Sequence, residues 1–311
     1  MRRLPLPYLI LFVGVLIAST SSILIRFAQT AGVPSLSIAA GRLVMAALIL
    51  TPIVWVRVGP ELRALHRRDV ALALAAGAFL AVHLASWISS LAYTSVASSA
   101  ALVTTNPLWV GLASFVVFRE RLGWRTLVGL AVTLLGTLCI VLSDSVGGDM
   151  ALLLRLLSTG TSPFVGGDSA TFGNLLALLG AITVSGYLLI GRTLRRRLSV
   201  LAYIYVVYTS AAVILLLWAV LAHQPLLGFS PGAYLLVLGL ALGPQLLGHT
   251  AFNYALSALS ATFVAVAILG EPIGSALLAL LFFHESFAAL QLGGFMLLLG
   301  GIIVASLGEQ G

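Results

Sequence analysis

The chain of 311 residues has little charge, because Asp, Glu, Lys and Arg make up 8% of it against 60% hydrophobic residues. Soluble globular proteins carry about a quarter charged residues. The composition therefore excludes a water-soluble globule and predicts the lipid bilayer as the surroundings. Cysteine is almost absent as well. Because Cys139 is the single cysteine, a disulfide within the chain and a thiolate metal site are both excluded.

Motifs that carry enzymatic chemistry are also missing. The sequence has no Gly-x-x-x-x-Gly-Lys loop, which excludes ATP hydrolysis by a P-loop, and no His-Glu-x-x-His pair. His83 and His249 have no catalytic partner close to them in the sequence. We therefore expect no enzyme activity, no cofactor and no bound metal, while coupling of transport to protons stays open.

Long apolar segments dominate the sequence. A membrane-spanning helix needs about 20 apolar residues, and the backbone in lipid is satisfied only within helices or closed barrels. The segments are continuous rather than alternating in polarity, which excludes a barrel. We predict an all-α integral membrane protein with ten transmembrane helices, called spans 1 to 10 below, at 7–30, 35–57, 69–92, 97–118, 125–143, 172–193, 199–222, 233–256, 260–283 and 286–308.

The second half of the chain repeats the first at an offset of about 166 residues, since Gly14 recurs as Gly180 and His83 as His249. Further along, Pro107 recurs at an offset of about 165 residues. We predict a first five-helix repeat at 1–143, an outer connecting loop at 144–171 and a second repeat at 172–311. An odd number of spans in each copy inverts the second copy, and inverted repeats are typical of secondary carriers.

All 16 positive residues are arginines, and thirteen of them fall on one membrane face if the N-terminus is cytoplasmic. This distribution follows the positive-inside rule and predicts that both termini are cytoplasmic. The loop between spans 2 and 3 is rich in arginine, whereas its counterpart between spans 7 and 8 has none, as inverted copies require. The arginines therefore follow the membrane, and the basic pI of 10.2 does not indicate a nucleic-acid partner. Nothing in the sequence indicates an obligatory protein partner.

Polar residues in spans 3 and 8 recur at helical spacing. Each set lies on one face of its helix, and polar groups in hydrocarbon tend to face a cavity or the interior of a bundle. Two faces related by the repeat predict one shared central cavity for a small-molecule substrate, with interhelical hydrogen bonding as the alternative. The predicted faces consist of His83, Trp87 and Ser90 in span 3, and of Gln245, His249 and Asn253 in span 8.

Glu271 is the one carboxylate in the middle of a predicted span, and its counterpart in the first repeat is Asn106. Each directly precedes a proline. Three roles stay open for Glu271: binding a substrate amine, accepting a proton during transport, or a structural hydrogen bond beside the proline. Asn106 is assigned to the same pathway as its counterpart.

Three further residues are predicted to contribute to the substrate pathway. Arg42 lies about two turns into span 2, where a guanidinium is suited to bind a carboxylate. Ser19 shares a face of span 1 with Arg26, whose position near the helix end favours snorkelling to the interface. Tyr187 in span 6 adds a polar rim to apolar walls.

Two segments resemble the ten-helix EamA-type carriers of the drug/metabolite transporter superfamily. They run from Ser99 through Asn106-Pro107 to Glu120, and from Leu259 through Glu271-Pro272 to Glu285, and each is followed by a glycine-rich span. The resemblance covers nearly the whole chain and, within the family, is strongest to bacterial inner-membrane amino-acid exporters of the YddG type. It implies a basket of ten helices, a central cavity and export of aromatic and other neutral amino acids.

The resemblance also restricts the substrate. Some members of the superfamily use a membrane lysine for anionic substrates, and this chain has no lysine, which disfavours exchange of phosphate esters. Export of amino acids or similar small metabolites across the bacterial inner membrane is the first hypothesis. The alternative is a multidrug or amine exporter with Glu271 as its cation or proton site. A passive pore is a further alternative, which saturation and counterflow would exclude.

Overall fold

The structure is a computed structural model that describes residues 6–119, 123–145, 151, 155, 158, 168–283 and 288–309. Most of the predicted connecting loop, and the glutamates Glu120 and Glu285, lie outside these described residues. Throughout the described ranges the secondary structure is helical, with no strand. The helices of the first repeat are Leu6–Ala18 and Ser21–Thr30 (span 1), Ser35–Arg63 (span 2), Arg67–Ser90 (span 3), Val96–Val103 and Asn106–Phe118 (span 4) and Trp124–Ser145 (span 5).

The second repeat has the corresponding order of elements. Its helices are Asp168–Arg195 (span 6), Val200–Leu221 (span 7), Pro231–Leu240, Ala241–His249 and Thr250–Ala255 (span 8), Ala261–Ile268 and Glu271–Phe283 (span 9) and Ala289–Glu309 (span 10). Within the described ranges seven spans are long and apolar enough to cross a membrane. The remaining three are spans 4, 5 and 10, and spans 5 and 10 contain the shorter apolar helices Trp124–Ile140 and Ala289–Gly301. The predicted all-α fold of two inverted five-helix repeats is confirmed, while the side that the termini face stays a prediction.

Spans 4 and 9 are broken at the same place in each repeat. Pro107 and Pro272 lack an N–H, and a proline ring clashes with the carbonyl four residues earlier. The first helical halves end at Val103 and Ile268, which are those fourth residues. Each second half then restarts immediately before its proline, where a missing N–H costs nothing. The sequence thus places Asn106 and Glu271 at the start of a helix in the middle of a span.

Span 8 contains a π-helical segment, Ala241–His249, which includes Pro244. The preceding α-helix ends at Leu240, four residues before that proline, and the wider π-helical turn follows from the interrupted hydrogen-bond ladder. Its counterpart, span 3, is a continuous α-helix from Arg67 to Ser90. The two repeats therefore share a topology but differ in local conformation.

Contacts between loops establish that the repeats are inverted. The side chain of Glu61, at the end of span 2, accepts a hydrogen bond from the backbone N–H of Ser199 in the loop between spans 6 and 7 (2.7 Å). Asp69 at the start of span 3 forms an ion pair with Arg197 in that loop (3.0 Å). These loops carry the arginines, and we call this end of the bundle the inner end.

The opposite end of the bundle, called the outer end, holds the loops between spans 1 and 2, 3 and 4, and 7 and 8. Ser37 at the start of span 2 donates to the carbonyl of Pro225 in the loop between spans 7 and 8 (2.6 Å). Thr94, after span 3, donates to the side-chain oxygen of Asn174 at the start of span 6 (3.0 Å). Loops at corresponding positions in the repeats thus lie at opposite ends.

Glycines allow the closest approaches between spans. A Cβ added to Gly77 of span 3 would lie 2.8 Å from the carbonyl oxygen of Val207 and would clash with the hydroxyl of Ser210, both in span 7. The repeat counterpart of Gly77 is Gly243, where an added Cβ would meet nothing closer than 3.8 Å. Of these two equivalent glycines, only Gly77 is in tight contact with a neighbouring span.

Gly77→Ala is expected to lower the melting temperature of the purified protein by several degrees, because the Val207 carbonyl is backbone and overpacking costs about 1–3 kcal/mol. Gly243→Ala is the matched control and is expected to leave the melting temperature almost unchanged. Thermal unfolding in detergent, followed by loss of the monodisperse chromatography peak, measures both. Equal melting temperatures for the two variants would contradict the tight packing of spans 3 and 7.

Candidate functional site

A buried cavity lies between spans 3, 4, 6, 8 and 9, where the two repeats meet. Its empty space, including its mouth, is about 420 Å³. The lining residues come from both repeats and combine aromatic, polar and aliphatic side chains: His83, Trp87, Val103, Thr104, Asn106, Val184, Tyr187, Leu188, His249, Phe252, Ile268 and Glu271.

Six of the eleven residues predicted for the substrate pathway line this cavity. They come from five different spans that are far apart in the sequence, and only folding brings them together. These residues are His83, Trp87, Asn106, Tyr187, His249 and Glu271. Their contact with a solute stays a prediction.

The other five predicted residues are buried outside the cavity wall. Ser90 donates to the carbonyl of Trp87 (2.7 Å) and shares a hydrogen bond with Ser99 (2.6 Å), so it joins spans 3 and 4. Ser19 donates to the carbonyl of Val15 within span 1 (2.8 Å). The remaining three, Arg42, Gln245 and Asn253, take part in polar contacts behind the cavity.

Aromatic rings form one wall of the cavity. The imidazole of His83 stacks on Trp87, with ring centroids 5.9 Å apart, and meets the imidazole of His249 edge-on at 6.3 Å. His249 also packs against Tyr187 at 6.3 Å and Phe252 at 5.6 Å. His83 and His249 are repeat counterparts, so their contact places the pseudo-twofold axis between the two imidazoles.

The breaks in spans 4 and 9 bring Asn106 and Glu271 to the cavity. Both residues begin the second half of their span, where the preceding turn leaves backbone N–H groups without helical partners. The backbone carbonyl of Asn106 accepts a hydrogen bond from Ser185 of span 6 (3.1 Å). Glu271 is only partly covered by protein atoms. A carboxylate and an amide thus lie at equivalent positions on either side of the axis.

Three polar atoms of the cavity lining are buried with no hydrogen-bond partner among the described residues: Nε1 of Trp87, Oδ1 of Asn106 and Nδ1 of His249. A buried polar group without a partner costs about 1–3 kcal/mol. In native proteins such groups are satisfied by an ordered water or ion, or they take part in the chemistry of a site. Their position in the wall makes them candidates for contact with a polar solute.

Arg42 is fully buried between spans 1, 2 and 8. Its Nε donates to the side-chain oxygen of Gln245 (2.8 Å) and its Nη1 to the hydroxyl of Ser21 (3.1 Å). No carboxylate among the described residues lies within ion-pair distance of it, yet its charge interacts with that of Glu271. Arg42 is therefore held by neutral side chains rather than by an ion pair.

Asn253 and Tyr187 are joined behind the cavity. The amide nitrogen of Asn253 donates to the hydroxyl of Tyr187 and to the carbonyl of His249 (2.8 Å). The carbonyl of Asn253 in turn accepts from Nε of Arg195 (3.0 Å). This connection fixes the inner part of span 8 against span 6.

Sequence reasoning missed the aliphatic part of the wall and Phe252. Val103 and Ile268 are the residues four positions before Pro107 and Pro272, so the proline rule contained the signal that they end a helix at the break. Phe252 lies three residues after His249, on the same helical face. Val184 and Leu188 carried no comparable signal, because the sequence does not distinguish an apolar residue that lines a cavity from one that faces lipid.

In the part of the chain that the structure describes, no group of three or more His, Cys, Asp or Glu residues is arranged to hold a metal ion.

Two inverted five-helix repeats around a polar cavity define the architecture of a secondary membrane transporter. The chain belongs to the EamA-like transporter family, whose model matches residues 5–142 and 171–307. A solved structure described only as the crystal structure of a protein has the same fold, with a TM-score of 0.73 and 19% sequence identity over 98% of this chain and 99% of that one. No curated protein matches the chain.

Proposed function

We propose that this transporter exports amino acids, aromatic and other neutral ones, or similar small metabolites across the bacterial inner membrane. The observation that carries the proposal is the composition of the cavity wall, which offers hydrogen-bond acceptors, N–H donors and apolar surface in one enclosed space. A neutral amino acid presents the matching three groups. Transport proceeds by alternating access without ATP, with the termini cytoplasmic.

The ammonium group of the substrate is assigned to the acceptors at the two helix breaks. Glu271 supplies a carboxylate and Asn106 the unpartnered amide oxygen. Hydrogen bonds with a charged partner contribute about 1.5–3 kcal/mol each. Arg42, buried behind the cavity, favours the ionised form of Glu271, whereas burial of the carboxyl disfavours it.

The carboxylate of the substrate is assigned to the opposite, aromatic side. Trp87 presents an indole N–H without a partner, and His249 presents Nδ1, which donates in the appropriate tautomer. The side chain of the substrate then lies against aliphatic wall residues, which include Val103, Val184 and Leu188. The part of the cavity that a water-sized molecule can enter is about 30 Å³, well below the roughly 300–1,000 Å³ of small-molecule sites, so the cavity must widen to admit an amino acid.

A cation exporter is the competing function, and one observation favours it. Glu271 lies in a cavity with the faces of Trp87 and Tyr187, and a carboxylate with aromatic faces is suited to an organic cation. Such a substrate has no carboxylate and does not need the N–H donors. The two functions therefore differ in what they require of Trp87.

Trp87→Phe is expected to weaken transport of neutral amino acids roughly tenfold or more, because it keeps an aromatic face but removes a hydrogen bond to a charged group. The matched control is Trp218→Phe, since Trp218 is 43% exposed on span 7 and far from the cavity wall. The apparent KM for labelled phenylalanine in proteoliposomes measures the effect. Unchanged amino-acid transport in Trp87→Phe would contradict the assigned carboxylate site, and transport of organic cations only would replace the proposal by the cation exporter.

A further inference from the structure

Three pairs of spans follow the pseudo-twofold symmetry. Span 5 packs against span 10, span 2 against span 7, and span 4 against span 9. In each pair the two spans are repeat counterparts, so the pseudo-twofold rotation exchanges them and leaves the pair in place. The glycine contacts show this directly. An added Cβ on Gly136 would lie 2.6 Å from the carbonyl of Gly294, and one on Gly301 would lie 2.7 Å from the carbonyl of Gly129, which is the same contact in the other repeat.

The two remaining pairs break the symmetry. Span 3 packs against span 6 and span 1 against span 8. Span 8 is the repeat counterpart of span 3 and span 1 that of span 6, so the pseudo-twofold rotation places the first pair on the second. Spans 3 and 6 are continuous α-helices, Arg67–Ser90 and Asp168–Arg195. Span 1 is interrupted after Ala18, and span 8 contains the π-helical segment. Equivalent parts of the chain therefore adopt two different conformations in one molecule.

The two histidines on the axis differ in the same way. Nδ1 of His83 donates to the carbonyl of Gly180 in span 6 (2.9 Å). The repeat counterparts of these residues are His249 and Gly14, but Nδ1 of His249 is buried without a partner. The carbonyl oxygen of Gly14 nevertheless lies only 3.4 Å from the position of a Cβ on Gly248, the residue before His249. Span 1 therefore packs on span 8 beside His249, and among the described residues no hydrogen bond joins Nδ1 of His249 to Gly14.

Spans 3 and 6 are also joined nearer the outer end. Thr94 donates to Asn174 (3.0 Å), and the ring of Tyr93 meets that of Phe172 edge-on at 5.2 Å. Tyr8, the counterpart of Asn174 at the inner end, packs instead on Phe263 of span 9 at 5.3 Å. The hydrogen bond of His83 thus lies between spans 3 and 6, the same two spans that the Tyr93–Phe172 and Thr94–Asn174 contacts join at the outer end.

We propose that His83 and His249 are alternating latches. In the state described here, His83 holds span 6 through the carbonyl of Gly180 and closes the outer end. In the opposite state, His249 holds span 1 through the carbonyl of Gly14, closes the inner end, and His83 releases Gly180. The symmetric pairs remain unchanged in both states, whereas the conformations of spans 1 and 8 and of spans 3 and 6 are exchanged. The proposal rests on alternating access in the proposed function, but not on the identity of the solute.

Accessibility of single cysteines tests the latches without any substrate. Cys139 is the single native cysteine, so Cys139→Ser provides a cysteine-free background. Val103→Cys reports on the outer side of the cavity and Ile268→Cys, at the counterpart position, on the inner side. Each is labelled with a membrane-impermeant maleimide in right-side-out and inside-out vesicles. The ratio of outer to inner labelling measures the balance of the two states.

His83→Phe is expected to raise this ratio roughly two- to tenfold, the effect of one hydrogen bond on an equilibrium, because phenylalanine keeps the stack on Trp87 but donates nothing. His249→Phe is expected to lower the ratio by a similar factor. His83→Asn retains an N–H at the position of Nδ1 and is expected to restore the ratio to within about twofold of the parent. The double variant is expected to return close to the parent ratio.

Equal ratios in all variants, with normal expression and chromatography, would overturn the latches even if transport were reduced, because a residue that only contacts solute does not move this equilibrium. Shifts of the same sign in the two single variants would overturn the alternation as well. Should a phenylalanine variant not fold, comparison of His83→Asn with His83→Gln gives the same test, because the longer side chain displaces the N–H from the Nδ1 position. If the labelling ratio shifted as expected but no amino acid were transported, the roles of His83 and His249 would be supported and the proposed solute would be rejected.

Discussion

Glu271→Gln is expected to weaken counterflow of neutral amino acids by roughly tenfold to a hundredfold in apparent KM. The substitution keeps the size of the side chain and one acceptor oxygen but removes the negative charge opposite the substrate ammonium. A charge-assisted hydrogen bond contributes about 1.5–3 kcal/mol, and every 1.4 kcal/mol corresponds to about a factor of ten.

The matched control is Glu61→Gln, the same substitution at the inner end. Glu61 accepts a hydrogen bond from the backbone of Ser199, a role that the amide oxygen of glutamine retains, and it does not line the cavity. We expect this variant to transport with nearly normal kinetics. Normal kinetics in Glu271→Gln would assign Glu271 a structural role beside Pro272, the third of the roles that the sequence left open.

Gly294→Val is expected to lower the melting temperature by roughly 2–10 °C, because it separates the two spans that pack most closely. An added Cβ at Gly294 of span 10 would lie 2.7 Å from the carbonyl oxygen of Gly136 and 3.2 Å from the backbone nitrogen of Ile140, both in span 5. Backbone atoms cannot rotate away, so the helices must move apart, and overpacking of this kind costs about 1–3 kcal/mol.

Gly293→Val is the matched control one residue earlier. An added Cβ there meets nothing within 4 Å, so the same change of residue falls on a lipid-facing side of the same helix. We expect its melting temperature to stay within about 2 °C of the parent. If both valine variants melted alike, the account of spans 5 and 10 as a tightly packed symmetric pair would be wrong.

The fold could be predicted from the sequence because only helices and closed barrels satisfy the backbone within the bilayer. Apolar segments of about 20 residues must be helices, and the asymmetry of the arginines in equivalent loops predicted the inversion that the Glu61–Ser199 and Asp69–Arg197 contacts establish. The prolines Pro107 and Pro272 also indicated where a helical ladder is disturbed. These inferences depend on composition and local chemistry, which a sequence states directly.

The candidate site was only partly accessible. Helical spacing placed His83 and Trp87 on one face, but it did not separate the cavity wall from residues one turn away, so Ser90 was grouped with them although it bonds to Ser99. The partners of Arg42 were hidden for a different reason. Gln245 lies 203 residues away in the sequence, and no local pattern connects two buried polar residues across that distance.

The difference between the repeats was not accessible at all. Span 1 is interrupted after Ala18 without a proline, and the π-helical segment of span 8 is one of several ways in which a helix adapts to Pro244. Which repeat adopts which conformation depends on the state of the whole molecule. No local pattern states which histidine finds a partner, so only a structure reveals that Nδ1 of His83 bonds to the carbonyl of Gly180 while Nδ1 of His249 has no partner among the described residues.

Counterflow in proteoliposomes tests the central claim most directly. Vesicles loaded with unlabelled neutral amino acids are diluted into labelled phenylalanine, methionine or threonine at two external pH values, without ATP. The account predicts transient, saturable accumulation of label that Trp87→Phe and Glu271→Gln diminish, and a dependence on pH would indicate that protons are coupled to transport. Uptake that neither saturates nor shows counterflow would indicate a pore. Verified protein that moves organic cations but no amino acid would contradict the proposed substrate.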